Sequence, residues 1–254
     1  MSLYYCDLHI HSCLSPCGDE DMTPGNIIGM AVLNGLNIVA LTDHNSVKNC
    51  PSFFKFAKEY GIIPVAGMEL TTAEDVHVVC LFRNLEDAMS FGEFVDSKRT
   101  LIKNQSEIFG RQIIVDENDE ICGEEPYLLI NAVNIMLDEA FEEVTKRGGV
   151  CYPAHIDRSA NGIISMLGDF PPEPLFTAFE LNDESSLKDC LERFSVLSER
   201  NLVHVAASDA HYLTDISEKG FAIEIDDEPY SSDKVRNLLI DHLLGVFKDG
   251  EKNG

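Results

Sequence analysis

This sequence has little positive charge and no long apolar run. Only 19 of its 254 residues are Lys or Arg and 44 are Asp or Glu, so the formal net charge is −25 and the isoelectric point is near 4.5. A general nucleic-acid or anionic-membrane binder would present a basic face, which this composition argues against. The longest apolar stretches have strand length, far short of the roughly 20 residues that a membrane span needs. We therefore expect neither a membrane nor a long nucleic acid among its partners.

We expect no secretory signal in this protein, and its cysteines follow no regular pattern. Its first residues contain neither the basic nor the apolar region of a signal peptide. The eight cysteines have no repeated spacing, and several lie inside apolar runs. In a chain that is not exported such cysteines are expected to be reduced thiols, so we expect a cytoplasmic protein. There are no internal repeats, and the length suits one large domain or one domain with an insertion.

Short β-branched runs alternate with helix-length segments along most of the chain. Strands are predicted at 4–10, 37–42, 62–67, 76–82, 149–153, 176–181, 202–207 and 221–225. Most of these strands are nearly continuous apolar runs, a pattern typical of parallel strands that are buried on both faces. The helices predicted between them include 185–200 and 231–245. The alternation indicates an α/β fold with a parallel sheet or barrel.

One interval breaks the alternation. Residues 83–149 separate two predicted strands, whereas a crossover needs little more than a dozen residues. A hairpin is predicted at 111–123, with helical segments at about 86–109 and 138–147 on either side. We therefore expect an inserted α+β subdomain at 85–147, which would form a lid, between barrel segments 1–84 and 148–254. The final residues, 248–254, are expected to fray.

Most histidines fall at the ends of predicted strands, and two acidic residues occupy equivalent positions. These residues are His9, His11, His44, His77, His155 and His211, together with Glu69 and Asp209. In a parallel barrel the strand ends converge on one face, and such ligands suit Zn, Mn or Fe. His77 does not fit this pattern, since it opens its strand. Either that strand begins later than predicted, or the chain enters the site from another direction.

Five motifs in order then resemble a known family. They are DLHIHS, LTDHN, the glutamate of AGMEL, PAH and SDAH. This series resembles the PHP (polymerase and histidinol phosphatase) superfamily, and most of all its stand-alone, TrpH-like metal-dependent phosphoesterases. The resemblance implies a distorted seven-stranded (β/α)7 TIM-like barrel, the PHP fold, with two or three divalent metal ions.

The resemblance also implies how the ligands are shared. One metal would be held by His9, His11, Glu69 and Asp209. A second would share Glu69 and add His77 and His155. A third would take His44, His211 and Asp19. The loop after DLHIHS departs from the family pattern, so Cys17 is a rival to Asp19; a thiolate would favour zinc, whereas a carboxylate would favour Mn or Fe.

The implied reaction is hydrolysis of a small phosphorylated metabolite or nucleotide, either a phosphomonoester or a short oligonucleotide end. A hydroxide between the metals that share Glu69 would attack the phosphorus. Three divalent ions less three ligand carboxylates leave about +3 locally, which would attract phosphate in spite of the overall charge. Arg158 is the candidate phosphate fork, unless it only pairs with a surface carboxylate. Asp43 is expected to orient an imidazole or to cap a turn, and Glu180 to face the site or to be structural.

Two other interpretations remain. An amidohydrolase-type barrel that cleaves a C–N or lactone bond also begins with His-x-His. It is opposed by Glu69, which stands where such enzymes have a bridging lysine, and by His211, which has no role there. A non-catalytic metal-binding or regulatory module would be expected to lack ligands, whereas nearly every ligand position is filled here.

Overall fold

A computed structural model describes residues 1–246, which contain ten strands and nine α-helices. The tail 248–254, expected to fray, lies outside the described residues. The strands are β1 (Ser2–Asp7), β2 (Ile38–Leu41), β3 (Ile63–Thr71), β4 (His77–Phe82), β5 (Ile113–Val115), β6 (Ile121–Glu124), β7 (Val150–Pro153), β8 (Ala178–Leu181), β9 (Val203–Ala206) and β10 (Phe221–Ile225). The helices are α1 (Pro24–Leu33), α2 (Cys50–Tyr60), α3 (Leu85–Lys98), α4 (Ser106–Phe109), α5 (Leu137–Lys146), α6 (Ile163–Leu167), α7 (Leu187–Arg193), α8 (Ser195–Glu199) and α9 (Ser232–Leu243).

All eight predicted strands are confirmed, as is the hairpin formed by β5 and β6. Two predicted helices are broken. The helix predicted over 86–109 ends at Lys98, where Arg99 turns to an extended conformation (φ −69°, ψ 143°). The helix predicted over 185–200 is divided between α7 and α8 by Phe194 (φ −119°, ψ 83°). The sequence pattern predicted helical structure in both segments, but not these interruptions of the backbone.

The main sheet is mixed, with strand order β10-β1-β2-β3-β4-β7. Only β1, β2 and β3 are parallel to one another, whereas β4 runs antiparallel to both β3 and β7, and β10 runs antiparallel to β1. The α/β class is confirmed, but the structure has six strands in a mixed sheet where a parallel seven-stranded barrel was predicted. The physical reason lies in residues 72–76, which are too few for a parallel crossover and therefore close a hairpin.

The strands β8 and β9 form a separate parallel pair. The chain after β7 is tied to β8 by the Ile156 amide, which donates to the Glu180 carbonyl at 2.9 Å. The chain after β9 is tied to the end of β1 by a parallel bridge between Ile10 and Ala210. These two links bring the ends of β8 and β9 beside those of β7 and β1.

Hydrophobic cores cover both faces of the main sheet because strand side chains alternate between them. In β4, Val78 packs with the larger cluster on the face covered by α1, α2 and α3, whereas Val79 packs with the smaller cluster that includes α9. Phe91 and Val95 of α3 are buried in the larger cluster, so the segment 85–147 shares the core of the rest of the chain. Its status as a separate subdomain and lid stays a prediction.

The β5-β6 hairpin is fixed to the chain that follows β1. One oxygen of Asp119, in the hairpin turn, accepts hydrogen bonds from the Thr23 hydroxyl (2.5 Å) and the Gly25 amide (2.9 Å) at the start of α1. A side chain at Gly110 would meet the Pro16 carbonyl at 2.1 Å, so the two backbones are in close contact there. Within residues 1–246 no helix is long and apolar enough to cross a membrane.

Candidate metal centre

The ends of six strands bring the predicted ligands together. The chain leaving β1 carries His9 and His11, and the chains leaving β2, β7 and β9 carry His44, His155, Asp209 and His211, while Glu69 lies within β3. His77 reaches the same place from the opposite direction. Because β4 is antiparallel to β3, its first residue, His77, pairs with Thr71 at the end of β3. The chain therefore enters the site from another direction at His77, which was the second of the two explanations offered for this residue.

Glu69 lies at the centre of the cluster and is 1% exposed. Its Oε1 is 2.7 Å from Nδ1 of His77 and 3.0 Å from Nε2 of His155. Its Oε2 is 3.0 Å from Nδ1 of His44, 3.3 Å from Nε2 of His11 and 3.5 Å from Nε2 of His9. One carboxylate thus touches five imidazoles, which is the arrangement expected of a ligand shared between metals.

The hydrogen bonds of His11 determine which of its nitrogens carries the proton in the neutral ring. The hydroxyl of Ser15 donates to Asp43 at 2.7 Å and accepts from the His44 amide at 3.1 Å. Since its only proton is given to Asp43, Ser15 accepts a hydrogen bond from His11 Nδ1 at 2.9 Å. The Nε2 atom of neutral His11 is therefore unprotonated and faces the cluster.

A carboxylate holds His9, the other histidine that follows β1, in the same tautomer. Nδ1 of His9 lies 2.9 Å and 3.1 Å from the two oxygens of Glu180, a side chain that is 1% exposed. Since a carboxylate can only accept, Nδ1 donates and Nε2 of neutral His9 points into the cluster without a proton.

These atoms form a donor set that fits divalent metal ions. Asp209 Oδ1 is buried and has no hydrogen-bond partner, although it lies 3.0 Å from His11 Nε2 and 3.3 Å from His9 Nε2. His44 Nδ1, which lies 3.0 Å from Glu69 Oε2, is also buried without a hydrogen-bond partner. Buried polar atoms at such distances that make no hydrogen bond are explained by an ion between them. Ligand atoms within 4.8 Å of one another form three groups: His9, His11, Glu69 and Asp209; His44, Glu69 and His77; and His11, His44 and His211.

The loop after β1 does not contribute the predicted ligand to these groups. The carboxylate of Asp19 accepts from the Asp21 amide at 2.9 Å, while the Asp19 amide donates to the His211 carbonyl at 3.0 Å. Asp19 thus supports the backbone of a ligand, and neither it nor Cys17 belongs to a ligand group among residues 1–246. The assignment of Asp19 or Cys17 to a third metal stays a prediction.

Arg158 lies at the mouth of the cluster. It lines a cleft of about 150 Å³ together with six of the predicted ligands, Glu69, His44, His77, His155, Asp209 and His211. Its Nη1 donates to Asp209 Oδ2 at 2.5 Å and its Nη2 donates to Asn182 Oδ1 at 2.7 Å, while 41% of its side chain is exposed. A guanidinium in this position can reach a phosphate in the cleft while it holds a metal ligand in place.

The charges of the cluster oppose one another. Burial disfavours the charged form of His11, yet Asp209 and Glu69 raise its pKa to about 9, and Glu180, Asp209 and Glu69 raise the pKa of His9 as well. Burial lowers the pKa of His44 to about 3 and that of His211 to about 4. In the metal-free protein, protons on His9 and His11 therefore balance the carboxylates, and metal ions must displace these protons.

Asp43 acts on the cluster through serines. Its carboxylate accepts from the Ser12 amide, the Ser12 hydroxyl and the Ser15 hydroxyl, each at 2.7 Å. The sequence led us to expect that Asp43 orients an imidazole or caps a turn, but it did not indicate that Ser15 links Asp43 to His11. The available signal was the position of Ser15, four residues after His11 in a turn that returns to the end of β2.

The comparison with protein families decides the classification. The sequence model of the PHP domain family matches residues 7–147, more than half of the chain. This chain belongs to the PHP domain family. The identification from its motifs is confirmed. An uncharacterized protein of Methanocaldococcus jannaschii is 36% identical to this PHP chain over an alignment of 86 positions, which covers 31% of this chain and 50% of that relative. The match thus spans only half of the relative's length.

Solved structures share the fold of this PHP chain. Endonuclease Q, in complex with a 27-mer duplex that has an abasic lesion at the active site, gives a TM-score of 0.64 at 18% identity over 97% of this chain and 57% of its own. A protein of Bifidobacterium adolescentis described as a metal-dependent phosphoesterase gives 0.58 at 17% identity, over 94% of this chain and 96% of its own. At these identities the likeness shows the fold alone.

The endonuclease Q complex corrects one expectation. The exclusion of a long nucleic acid from the partners is wrong, because a protein with this fold takes a 27-mer duplex as its substrate. The exclusion relied on the net charge of −25, which is a property of the whole chain. The charge at a bound metal cluster is local, and charges farther away than about 8–10 Å are largely screened at physiological salt.

Proposed function

We propose that this PHP protein is a phosphoesterase that uses divalent metal ions held by the strand-end cluster. The observation that carries the proposal is the position of Glu69, whose two oxygens lie 2.7–3.5 Å from five imidazole nitrogens. His9, His11, Glu69 and Asp209 would hold one ion, and Glu69, His77 and His155 a second, with His44 and His211 available to a third. The ions, Zn, Mn or Fe, would activate water and neutralise charge on the phosphate.

The residues around the ions would bind and orient the substrate. Arg158 would donate to phosphate oxygens from the mouth of the cleft, since its guanidinium remains partly exposed while two of its nitrogens are held by Asp209 and Asn182. Asp43 would keep His11 in place through Ser15. The carboxylate pair Glu69 and Asp209 would bind metal in the ionised form, because neighbouring imidazoles lower the pKa of both groups even though burial opposes this.

The size of the cleft bears on the substrate. A volume of about 150 Å³ accommodates a phosphate group and little more, so the remainder of the substrate would lie outside. A phosphorylated small metabolite, a nucleotide or a phosphate at an oligonucleotide end would each present a phosphate in this way. A duplex is a further candidate, because endonuclease Q accepts one on the same fold.

A substrate panel tests the proposal. The metal-stripped protein, loaded in turn with Mn or Zn, is incubated with an aryl phosphate, an aryl phosphodiester, nucleoside monophosphates, a 5′-phosphorylated short oligonucleotide and a 27-mer duplex with an abasic site. We expect metal-dependent release of phosphate or cleavage of at least one substrate. A fully loaded protein that leaves every phosphoester intact would refute the proposal. Adding an aryl lactone and an amide to the panel tests the amidohydrolase alternative, which predicts cleavage of these bonds alone.

A further inference from the structure

We propose that Glu180 is a positioning residue that orients two metal ligands at once, His9 and His155. The inference rests on the proposed function only in that both histidines bind metal, and it does not depend on the substrate. Glu180 lies in β8, which is outside the six-stranded sheet, yet its side chain is 1% exposed and directed at the cluster.

The contacts of Glu180 span three strand ends. Both of its carboxylate oxygens accept from Nδ1 of His9, at 2.9 and 3.1 Å, beyond the end of β1. The same Oε1 accepts from the backbone amide of His155 at 3.2 Å, beyond the end of β7. The Glu180 backbone carbonyl accepts from the Ile156 amide at 2.9 Å. One residue thus satisfies an imidazole and two successive backbone amides.

The contact with His9 determines how that histidine can bind metal. Because the carboxylate only accepts, the neutral ring carries its proton on Nδ1 and leaves the Nε2 lone pair directed at Glu69 and Asp209. The opposite tautomer would place a proton on Nε2 and remove this ligand. In Glu180→Gln the remaining amide oxygen could still accept from Nδ1, but the negative charge would be lost and an NH₂ group would replace the second acceptor, so the preference for the Nδ1-protonated tautomer would weaken.

The contact with His155 acts on the backbone. His155 has a φ of +29°, in the left-handed region that residues other than glycine rarely adopt. Surrounding interactions must hold such a conformation, and Glu180 binds the amides on both sides of this residue's Cα. In this conformation Nε2 of His155 lies 3.0 Å from Oε1 of Glu69. Loss of the side-chain contact with the His155 amide would leave only the backbone bond from Ile156, so the backbone could relax and withdraw the imidazole from the shared carboxylate.

Glu180 also sets the position of the β8-β9 pair. It pairs with Val205 in β9, four residues before Asp209. Its bonds to His9 and His155 therefore fix the position of β9 relative to the six-stranded sheet. The chain leaving β9 carries Asp209, a further proposed ligand. We infer that the substitution Glu180→Gln weakens metal binding at both of the sites that share Glu69.

Metal affinity tests this inference directly. The dissociation constant for zinc is measured by competition with a chromophoric chelator for wild type, for Glu180→Gln and for the matched control Glu184→Gln, an exposed glutamate four residues further along the chain. We expect roughly 10- to 100-fold weaker binding for Glu180→Gln and no change for the control. Wild-type affinity in Glu180→Gln, or an equal loss in both variants, would overturn the proposal.

A second measurement needs no variant and keeps the test decisive if Glu180→Gln fails to fold. The ¹⁵N shifts of the zinc-loaded wild type are expected to show His9 protonated at Nδ1 and coordinated through Nε2. Coordination of His9 through Nδ1 would overturn the proposal. Absence of phosphoesterase activity together with the expected zinc affinities and shifts would refute the proposed function but not the role of Glu180.

Discussion

Nε2 of His9 lies 3.2 Å from Nε2 of His11, and in the neutral rings neither atom carries a proton. Glu180 binds the Nδ1 proton of His9, and Ser15 binds that of His11. Two lone pairs directed at one point repel each other unless a cation lies between them. The metal-free protein places protons there, and the proposed phosphoesterase places metal ions there.

Replacement of Glu69 by glutamine is expected to reduce both metal content and hydrolysis. The amide keeps the size of the side chain but has only one oxygen, whereas the two oxygens of Glu69 contact five imidazoles. We expect the loss of at least one metal ion per chain and a fall in kcat/KM of roughly 100-fold or more. Elemental analysis and phosphoester hydrolysis measure the two effects. The control Glu93→Gln, an exposed glutamate on α3, should change neither; a Glu69→Gln variant with full metal content would show that Glu69 is not a ligand.

Arg158→Lys is expected to weaken substrate binding while it preserves the metal cluster. Lysine keeps the positive charge but cannot bind Asp209, Asn182 and a phosphate with separate nitrogens in one plane. We expect kcat/KM to fall by roughly 10- to 100-fold with metal content unchanged. The control is Arg193→Lys, an arginine on α7 whose side chain is 65% exposed. Unchanged kinetics in Arg158→Lys would remove Arg158 from the substrate site.

Metal affinity is expected to rise with pH. In the metal-free protein the pKa of His11 is raised to about 9 and that of His9 lies well above its usual value, so protons compete with the ions. The apparent affinity for zinc should increase from about pH 6.5 to pH 9. Chelator competition at a series of pH values measures it. An affinity that is constant or decreases over this range would contradict the assignment of these histidines as ligands.

The stability of the metal-free protein, in contrast to its metal affinity, should decrease as the pH rises. A histidine whose pKa is higher in the folded state stabilises that state below its unfolded pKa, near 6.5, and this stabilisation is lost as the pH rises through the folded value. For His11 the folded value is about 9. Thermal unfolding of the metal-free protein should therefore occur at lower temperature at pH 9.5 than at pH 7. A melting temperature that rises across this interval would count against protonated His11.

The hairpin of the segment 85–147 is expected to stabilise α1. Asp119 accepts from the Thr23 hydroxyl and the Gly25 amide at the helix start, where negative charge is favourable. Asp119→Asn tolerates the positive φ of this position (+61°) but removes the charge, and should cost about 0.5–1 kcal/mol of unfolding free energy. Urea denaturation compares it with Glu117→Gln, an exposed neighbour. Equal stabilities of the two variants would show that the contact contributes nothing.

The strands, and the meeting of most predicted ligands in one cluster, could be predicted because each depends on a local sequence pattern. An apolar run predicts a strand, and His9, Glu69 or His155 near its end predicts a position at the edge of the sheet. The direction of β4 was left open between two explanations, although the sequence contained the evidence to decide between them. Only residues 72–76 separate β3 from β4, a length that permits a hairpin alone.

Contacts between distant parts of the chain could not be predicted in this way. Glu180 and His9 are 171 positions apart, and only the packing of β8 beside β7 and β9 brings them together. The carboxylate at the end of a predicted strand was visible, but its partner was not. The exclusion of long nucleic acids failed for a related reason, since net charge carries no information about the position of each charge.

Phosphate binding with and without metal tests the central claim most directly. Titration calorimetry with inorganic phosphate is carried out on the metal-loaded and the metal-stripped protein at one pH and one ionic strength. If ions held by the strand-end cluster supply the positive charge that this acidic chain lacks, the loaded protein binds phosphate and the stripped protein does not. Equal phosphate affinity in the two forms would contradict the claim.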